Sequence, residues 1–213
     1  MGQNAADPTN STGSIDAVIW DVANVIVDWK GQRALKGLHP DDVVDAFFAS
    51  EGWAAINHAT DAGWTLAQAQ AAFDEQHPEH APLYRDYCTH FEKTVTGEEP
   101  GVPFLIRELI ADGVPSFGLS NWARENFHVA RRASTVLGEL DDLIVSGEVG
   151  LAKPDPAIFE LAITRFGVDR ARTAFVDDNL KNVEAARAVG LRAFHFTGVD
   201  RLREELLPQL SVR

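Results

Sequence analysis

The chain has 213 residues, 45% of them hydrophobic, enough to bury a real core over one to two domains. Its net charge of -13 sets it against nucleic acid and anionic membrane, whose phosphates attract basic surfaces. One cysteine, Cys88, leaves no internal disulfide to form and suits a reducing cytoplasm, and no stretch approaches the roughly 20 apolar residues of a membrane span.

Residues 1–14 are small and polar, without a charged-then-apolar leader pattern, and read as a disordered tail. Ile15 to Val22 is an apolar run that predicts a strand covered on both faces. Residues 30–97 lack strand-like runs and are rich in helix formers, as in Thr65 to Phe73, so they predict a helical insertion. From Pro100 onward helix and strand alternate. Val102, Leu105, Ile106 and Leu109 fall on one helical face, and Phe159, Ala162, Ile163 and Phe166 make another stripe. Strands are expected at Pro115–Leu119, Leu143–Val145, Thr173–Val176 and Arg192–Phe196, with a helix of small residues around Val183 and Ala186. Such alternation implies right-handed crossovers and an α/β fold, a doubly wound parallel sheet.

Chemistry-bearing residues stand where these strands end, the edge at which parallel sheets bind ligands. Asp21 follows Ala17-Val18-Ile19-Trp20, and Ser120-Asn121 follows the second core strand. A Ser-Asn pair there is an ordinary helix cap, or a hydroxyl and backbone N–H set that holds a phosphoryl oxygen. In Gly150-Leu151-Ala152-Lys153-Pro154-Asp155-Pro156, Asp155 and Pro156 suit the first turn of a helix, whereas Lys153 is not explained by it and, taken alone, reads as a solvated surface charge. Asp177-Asp178-Asn179 closes a later strand. Carboxylates brought together about 4 Å apart repel by on the order of 4 kcal/mol per pair at an effective dielectric near 20. A divalent cation relieves that repulsion, and hard oxygen donors favour Mg²⁺.

Asp21-Val22-Ala23-Asn24-Val25, Leu119-Ser120-Asn121, Gly150 to Pro154 and Asp177-Asp178-Asn179 resemble the four motifs of the haloacid dehalogenase (HAD) superfamily. The pattern is similar to its capped, phosphatase-like branch, which includes sugar-phosphate phosphatases such as glucose-1-phosphatase, and it runs from Ile15 to Leu210. The resemblance implies a Rossmann-like core at residues 15–29 and 98–213, with a small helical cap at 30–97. It implies a cytoplasmic, Mg²⁺-dependent phosphomonoesterase acting on a small phosphate ester, most simply a sugar phosphate. Asp21 becomes the nucleophile that forms an aspartyl-phosphate. Lys153 neutralises the nucleophile and a phosphoryl oxygen, Ser120 donates to another, and Asn121 orients the motif or touches substrate. The metal is held by Asp21, the Ala23 carbonyl, and Asp177, Asp178 or both.

One position departs from that pattern. Many relatives carry an aspartate two residues after the nucleophile as general acid and base, and Ala23 occupies that place. General acid–base catalysis is typically worth about 10²–10⁴-fold. The chain then favours a leaving group needing little protonation, or takes the proton from a cap residue, for which His58 and Asp61 are the candidates. Two other functions compete: a metal-independent 2-haloacid dehalogenase, against which the Asp177-Asp178 pair argues, and a non-catalytic, regulatory binding protein of this fold. Trp20, Trp53 and Trp64 are expected in the core or at the seam between cap and core, and Trp29 and Trp122 in the core or a pocket wall. His39, His77, His80, His90, His128 and His195 show no metal-ligand spacing. Asp41-Asp42 and Asp141-Asp142 read as solvated helix starts or loops.

Overall fold

A computed structural model describes residues 13–211. The tail expected at residues 1–14 therefore lies outside it up to residue 12, while the Gly13 carbonyl and the Ser14 hydroxyl are tied to Arg192 and Ser211.

The chain opens with β1 (Ala17–Trp20) and β2 (Val27–Trp29), then runs through four helices: α1 (Asp41–Ala49), α2 (Glu51–Asp61), α3 (Leu66–Gln76) and α4 (Ala81–Thr89). Next come β3 (Val95–Glu98), α5 (Val102–Ala111), β4 (Ser116–Ser120), α6 (His128–Ala133), β5 (Asp142–Val145) and α7 (Ser146–Val149). The remainder is α8 (Pro156–Phe166), β6 (Thr173–Asp177), α9 (Leu180–Ala188), β7 (Arg192–His195) and α10 (Val199–Leu206). Five strands form one sheet in the order β5-β4-β1-β6-β7, all parallel.

β1 shows why the sheet is covered twice. Side chains alternate along a strand, so Ala17 and Ile19 join one apolar cluster while Val18 and Trp20 join the other. Ile158, Phe159 and Ala162 of α8 and Val183 and Ala186 of α9 close the first face. Leu105, Ile106 and Leu109 of α5 and Leu202 and Leu206 of α10 close the second. That second cluster continues into the helical layer through Phe47, Phe73 and Tyr84. Helix starts follow local chemistry. The Asp155 side chain accepts from Ala157 N ahead of Pro156, and Thr65 with Gln68 makes a reciprocal capping box on α3.

Three readings of the sequence differ from the structure. β3 lies in a region expected to hold no strand, and pairs antiparallel with β2 through Val27–Glu98 and Trp29–Val95. Its Val-Thr-Gly-Glu sequence has no apolar run to reveal it, and the two strands bracket α1 to α4. Trp64, expected to fill the core or the seam between cap and core, is 41% exposed on the turn after α2. Asp142 opens β5 instead of lying in a helix start or loop, and pairs with Arg165 at 2.7 Å.

The turn after α2 comes close to the core at Gly63, whose φ is +106°, and a Cβ there would stand 3.3 Å from the Gly150 Cα. Glycine is the residue such a conformation and approach require. Among the described residues no helix is long and apolar enough to cross a membrane.

Candidate active site

Parallel pairing brings the carboxyl ends of three strands to one edge of the sheet. Trp20 lies opposite Gly118 of β4 and Val176 of β6. The next residue, Asp21, therefore arrives beside Asp177, with its N–H bonded to the Val176 carbonyl at 2.8 Å. The loop before α8 brings Lys153 between them. Lys153 Nζ stands 2.8 Å from Asp21 Oδ1, 2.7 Å from Asp177 Oδ2 and 2.9 Å from the Leu119 carbonyl. An ammonium has three hydrogens, and these three acceptors use them all. Val22 N–H also donates to Asp21 Oδ1 at 2.7 Å, so Asp21 Oδ2 is left without a protein partner among the described residues.

The electrostatics follow from burial. Asp21 is held well above the usual carboxylate range by desolvation and then by the charge of Asp177, with Lys153 opposing both. Desolvation works against the charge of Lys153, but Asp177 and Asp21 outweigh it and raise its pKa. Asp178 is raised by burial and by Asp177, with Asn24 and Lys153 opposing.

The two adjacent acids differ in their surroundings. Asp177 is fully buried and its oxygens are filled: Oδ1 accepts from Asn179 N and Asn182 Nδ2, and Oδ2 from Lys153 and Asn182. Asp178 faces a cavity of about 270 Å³ and is held through Oδ2 by Asn24 Nδ2 at 3.2 Å. Asp21, Ala23, Asp61, Asn121 and Lys153 line the same cavity. Donor oxygens of Asp21, Asp177 and Asp178 lie within 4.8 Å of one another, and the Ala23 carbonyl receives no backbone hydrogen bond among the described residues. A like-charged oxygen cluster with an unengaged carbonyl beside it fits a hard divalent cation.

The other expected residues separate. Ser120 is fully buried behind the cavity, and its hydroxyl has no partner among the described residues. Asn121 grips the lysine loop: its Nδ2 donates to the Lys153 carbonyl and its Oδ1 accepts from Lys153 N, both at 2.8 Å. Asp61 reaches the cavity from the last turn of α2, whereas His58 on that helix is exposed and does not line it. Trp29 and Trp122 both wall the cavity, together with Tyr84, Tyr87 and Phe91. The Cys88 thiol is pushed up to about 11, chiefly by burial, so it stays an unreactive thiol.

Sequence reading passed over two asparagines. Asn24, at φ +56° inside the first motif, bonds Asp178 and accepts from Trp29 N. Its signal was a short polar residue in a sharp turn, a position that tolerates left-handed backbone. Asn182 had a fainter one, a buried polar residue on the inner face of α9. The turn before α4 also gathers donor atoms of His77, Glu79 and His80 within 4.8 Å, although their sequence spacing matched no metal motif.

Residues 15–190 match the haloacid dehalogenase-like hydrolases. The chain is similar to sesquiterpene phosphatase astK of Aspergillus oryzae, 36% identical over 44% of this chain and 47% of that protein. It is also similar to the phosphoserine phosphatase of Thermus thermophilus, 48% identical over 30% of this chain and 25% of that protein. The chain thus spans half or less of these curated relatives. A HAD family enzyme of Bacteroides thetaiotaomicron, solved with magnesium and inorganic phosphate, superposes with a TM-score of 0.68 at 18% identity, covering 86% of this chain and 95% of that one. With the family match covering four of the five sheet strands, the strand-end acids and the lysine loop, this chain belongs to the haloacid dehalogenase-like hydrolases.

Proposed function

We propose that the protein is a Mg²⁺-dependent phosphomonoesterase of small phosphate esters, working through an aspartyl-phosphate on Asp21. The observation that carries this reading is a carboxylate with one free oxygen, fixed beside a buried ammonium and facing a cavity that also receives Asp178. Lys153 holds Asp21 and Asp177 in register and screens the nucleophile from an approaching anion. Asp21 Oδ2 attacks phosphorus, the ester P–O bond breaks, and water then hydrolyses the acyl phosphate. The backbone after β4 offers hydrogen bonds to the phosphoryl oxygens, a role that Ser120, fully buried and not lining the cavity, does not share. Asp21, Asp178 and the Ala23 carbonyl would hold the cation, and Asp177 serves mainly to anchor Lys153. When bound, Mg²⁺ supplies positive charge to the crowded carboxylates and to the transferring group.

Helices α1 to α4, within residues 30–97, act in this reading as the cap that selects the leaving group. Asn57 and Asn126 supply amides to the cavity and Trp29 and Trp122 supply flat faces, a mixture suited to a sugar phosphate. The likeness to a sesquiterpene phosphatase and the three further rings of Tyr84, Tyr87 and Phe91 favour a second class, an apolar alcohol. A dehalogenase fits less well, because Asp177 and Asp178 would repel a haloacid carboxylate. The test is phosphate release with Mg²⁺ from a panel of sugar and prenyl phosphates, with Asp21→Asn as control. Release by the parent and loss in the variant support the proposal, and halide release from 2-haloacids without Mg²⁺ would replace it.

A further inference from the structure

We propose that Asp61 is the general acid and base of this site, supplying the leaving-group proton that Ala23 has no group to give. The inference rests on the phosphomonoesterase reading and goes beyond it. Ala23 and Asp61 line one cavity, the first from the loop after β1 and the second from the end of α2. Asp61 Oδ2 accepts from Asn57 Nδ2 at 3.2 Å, one helical turn back, which fixes the carboxyl from behind. Its other oxygen has no protein partner and no cation pairs with either, among the described residues.

The remaining titratable groups of the cavity are committed. Lys153 spends its three hydrogens on Asp21, Asp177 and Leu119, and Asp178 is bonded to Asn24. Tyr84 and Tyr87 are held far above their ordinary range by burial, so neither phenol ionises near neutrality. His58 is outside the cavity. Asp61 is different: desolvation pushes it up to about 7, with the Lys153 charge opposing. The groups facing it are Lys153 from the loop before α8 and Tyr87 from α4, with Asp21 and Asp178 across the cavity. A carboxyl poised near the working pH is well matched to both directions of proton transfer.

The step balances. Asp21 Oδ2 forms a bond to phosphorus as the ester P–O bond breaks. The electron pair left on the ester oxygen takes the Asp61 proton, and the alcohol departs. The Asp61 carboxylate then removes a proton from water, whose oxygen attacks phosphorus and releases the Asp21 carboxylate, returning phosphate and the protonated Asp61.

The discriminating experiment compares an alkyl ester, glycerol phosphate, with p-nitrophenyl phosphate, whose phenolate leaves without a proton. Both are measured on the same preparations of parent, Asp61→Asn and Asp61→Glu with Mg²⁺, following the first turnover. The expected result for Asp61→Asn is a fall of about 10²–10⁴-fold on the alkyl ester and a far smaller fall on the aryl ester. Asp61→Glu recovers part of the alkyl rate. Because the ratio of the two rates is independent of the fraction folded, misfolding does not imitate this result. Equal losses on both esters, or none on either, would overturn the role of Asp61. A parent that cleaves neither ester would instead overturn the phosphomonoesterase reading beneath it.

Discussion

Lys153 Nζ lies 2.7 Å from Asp177 Oδ2, with both side chains entirely shut off from solvent. The same ammonium reaches Asp21 Oδ1 at 2.8 Å, so one cation serves two buried acids. Removing one member of a buried ion pair typically costs about 3–5 kcal/mol, because the partner is left charged and dry. Lys153→Met is therefore expected to lose about that much stability in urea unfolding, and its phosphatase activity with it. Lys153→Arg is expected to fail as well, since a planar guanidinium cannot meet three converging acceptors from the ammonium's position.

Asp177 and Asp178 are adjacent in sequence and opposite in expected phenotype. Asp177→Asn disturbs the anchor of Lys153 and of Asn182, and lowers the unfolding midpoint. Asp178→Asn leaves that anchor whole and weakens Mg²⁺ binding. Calorimetric Mg²⁺ titration beside urea unfolding of both variants checks the division, and an Asp177→Asn protein that kept full stability would break it.

Asn24 joins backbone shape to metal site. Asn24→Gly keeps the left-handed turn at φ +56° and removes the bond to Asp178. Supporting hydrogen bonds to ligands are typically worth about 10–100-fold in metal affinity. A loss of that order in Mg²⁺ affinity is expected, with folding retained. Asn24→Ala adds a backbone penalty of roughly 1–2 kcal/mol.

The pH dependence of stability carries the sign of Asp61. Its folded pKa, pushed up to about 7 by burial, lies above the unfolded value near 4. Between those values the folded protein keeps a proton that the unfolded chain has released. Its contribution to stability is thus complete below about pH 4 and is lost as pH rises through about 7. Melting curves of Asp61→Asn are expected to fall less over this window than those of the parent.

Much of the fold was legible because buried parallel strands announce themselves. Ala17 to Trp20 and Ala174 to Val176 are apolar on both faces, and Asp21 and Asp177 follow these runs directly. β3 was hidden because Val95-Thr96-Gly97-Glu98 carries no apolar pattern and exists only through its pairing with β2. Trp64 was misjudged because an indole's preference for burial says nothing of which turn exposes it. At the site, residue identities at strand ends were readable, but their division of labour was not. Only the three-dimensional arrangement separates the filled carboxylate of Asp177 from the open one of Asp178, or Asp61 in the cavity from His58 outside it.

The most direct test of the central claim is transfer of label from a ³²P-phosphate ester to the protein, quenched in acid and mapped by peptide. The account predicts label on the peptide containing Asp21 in the parent with Mg²⁺, and neither label nor phosphate release in Asp21→Asn. Phosphate release by Asp21→Asn at the parental rate would contradict it.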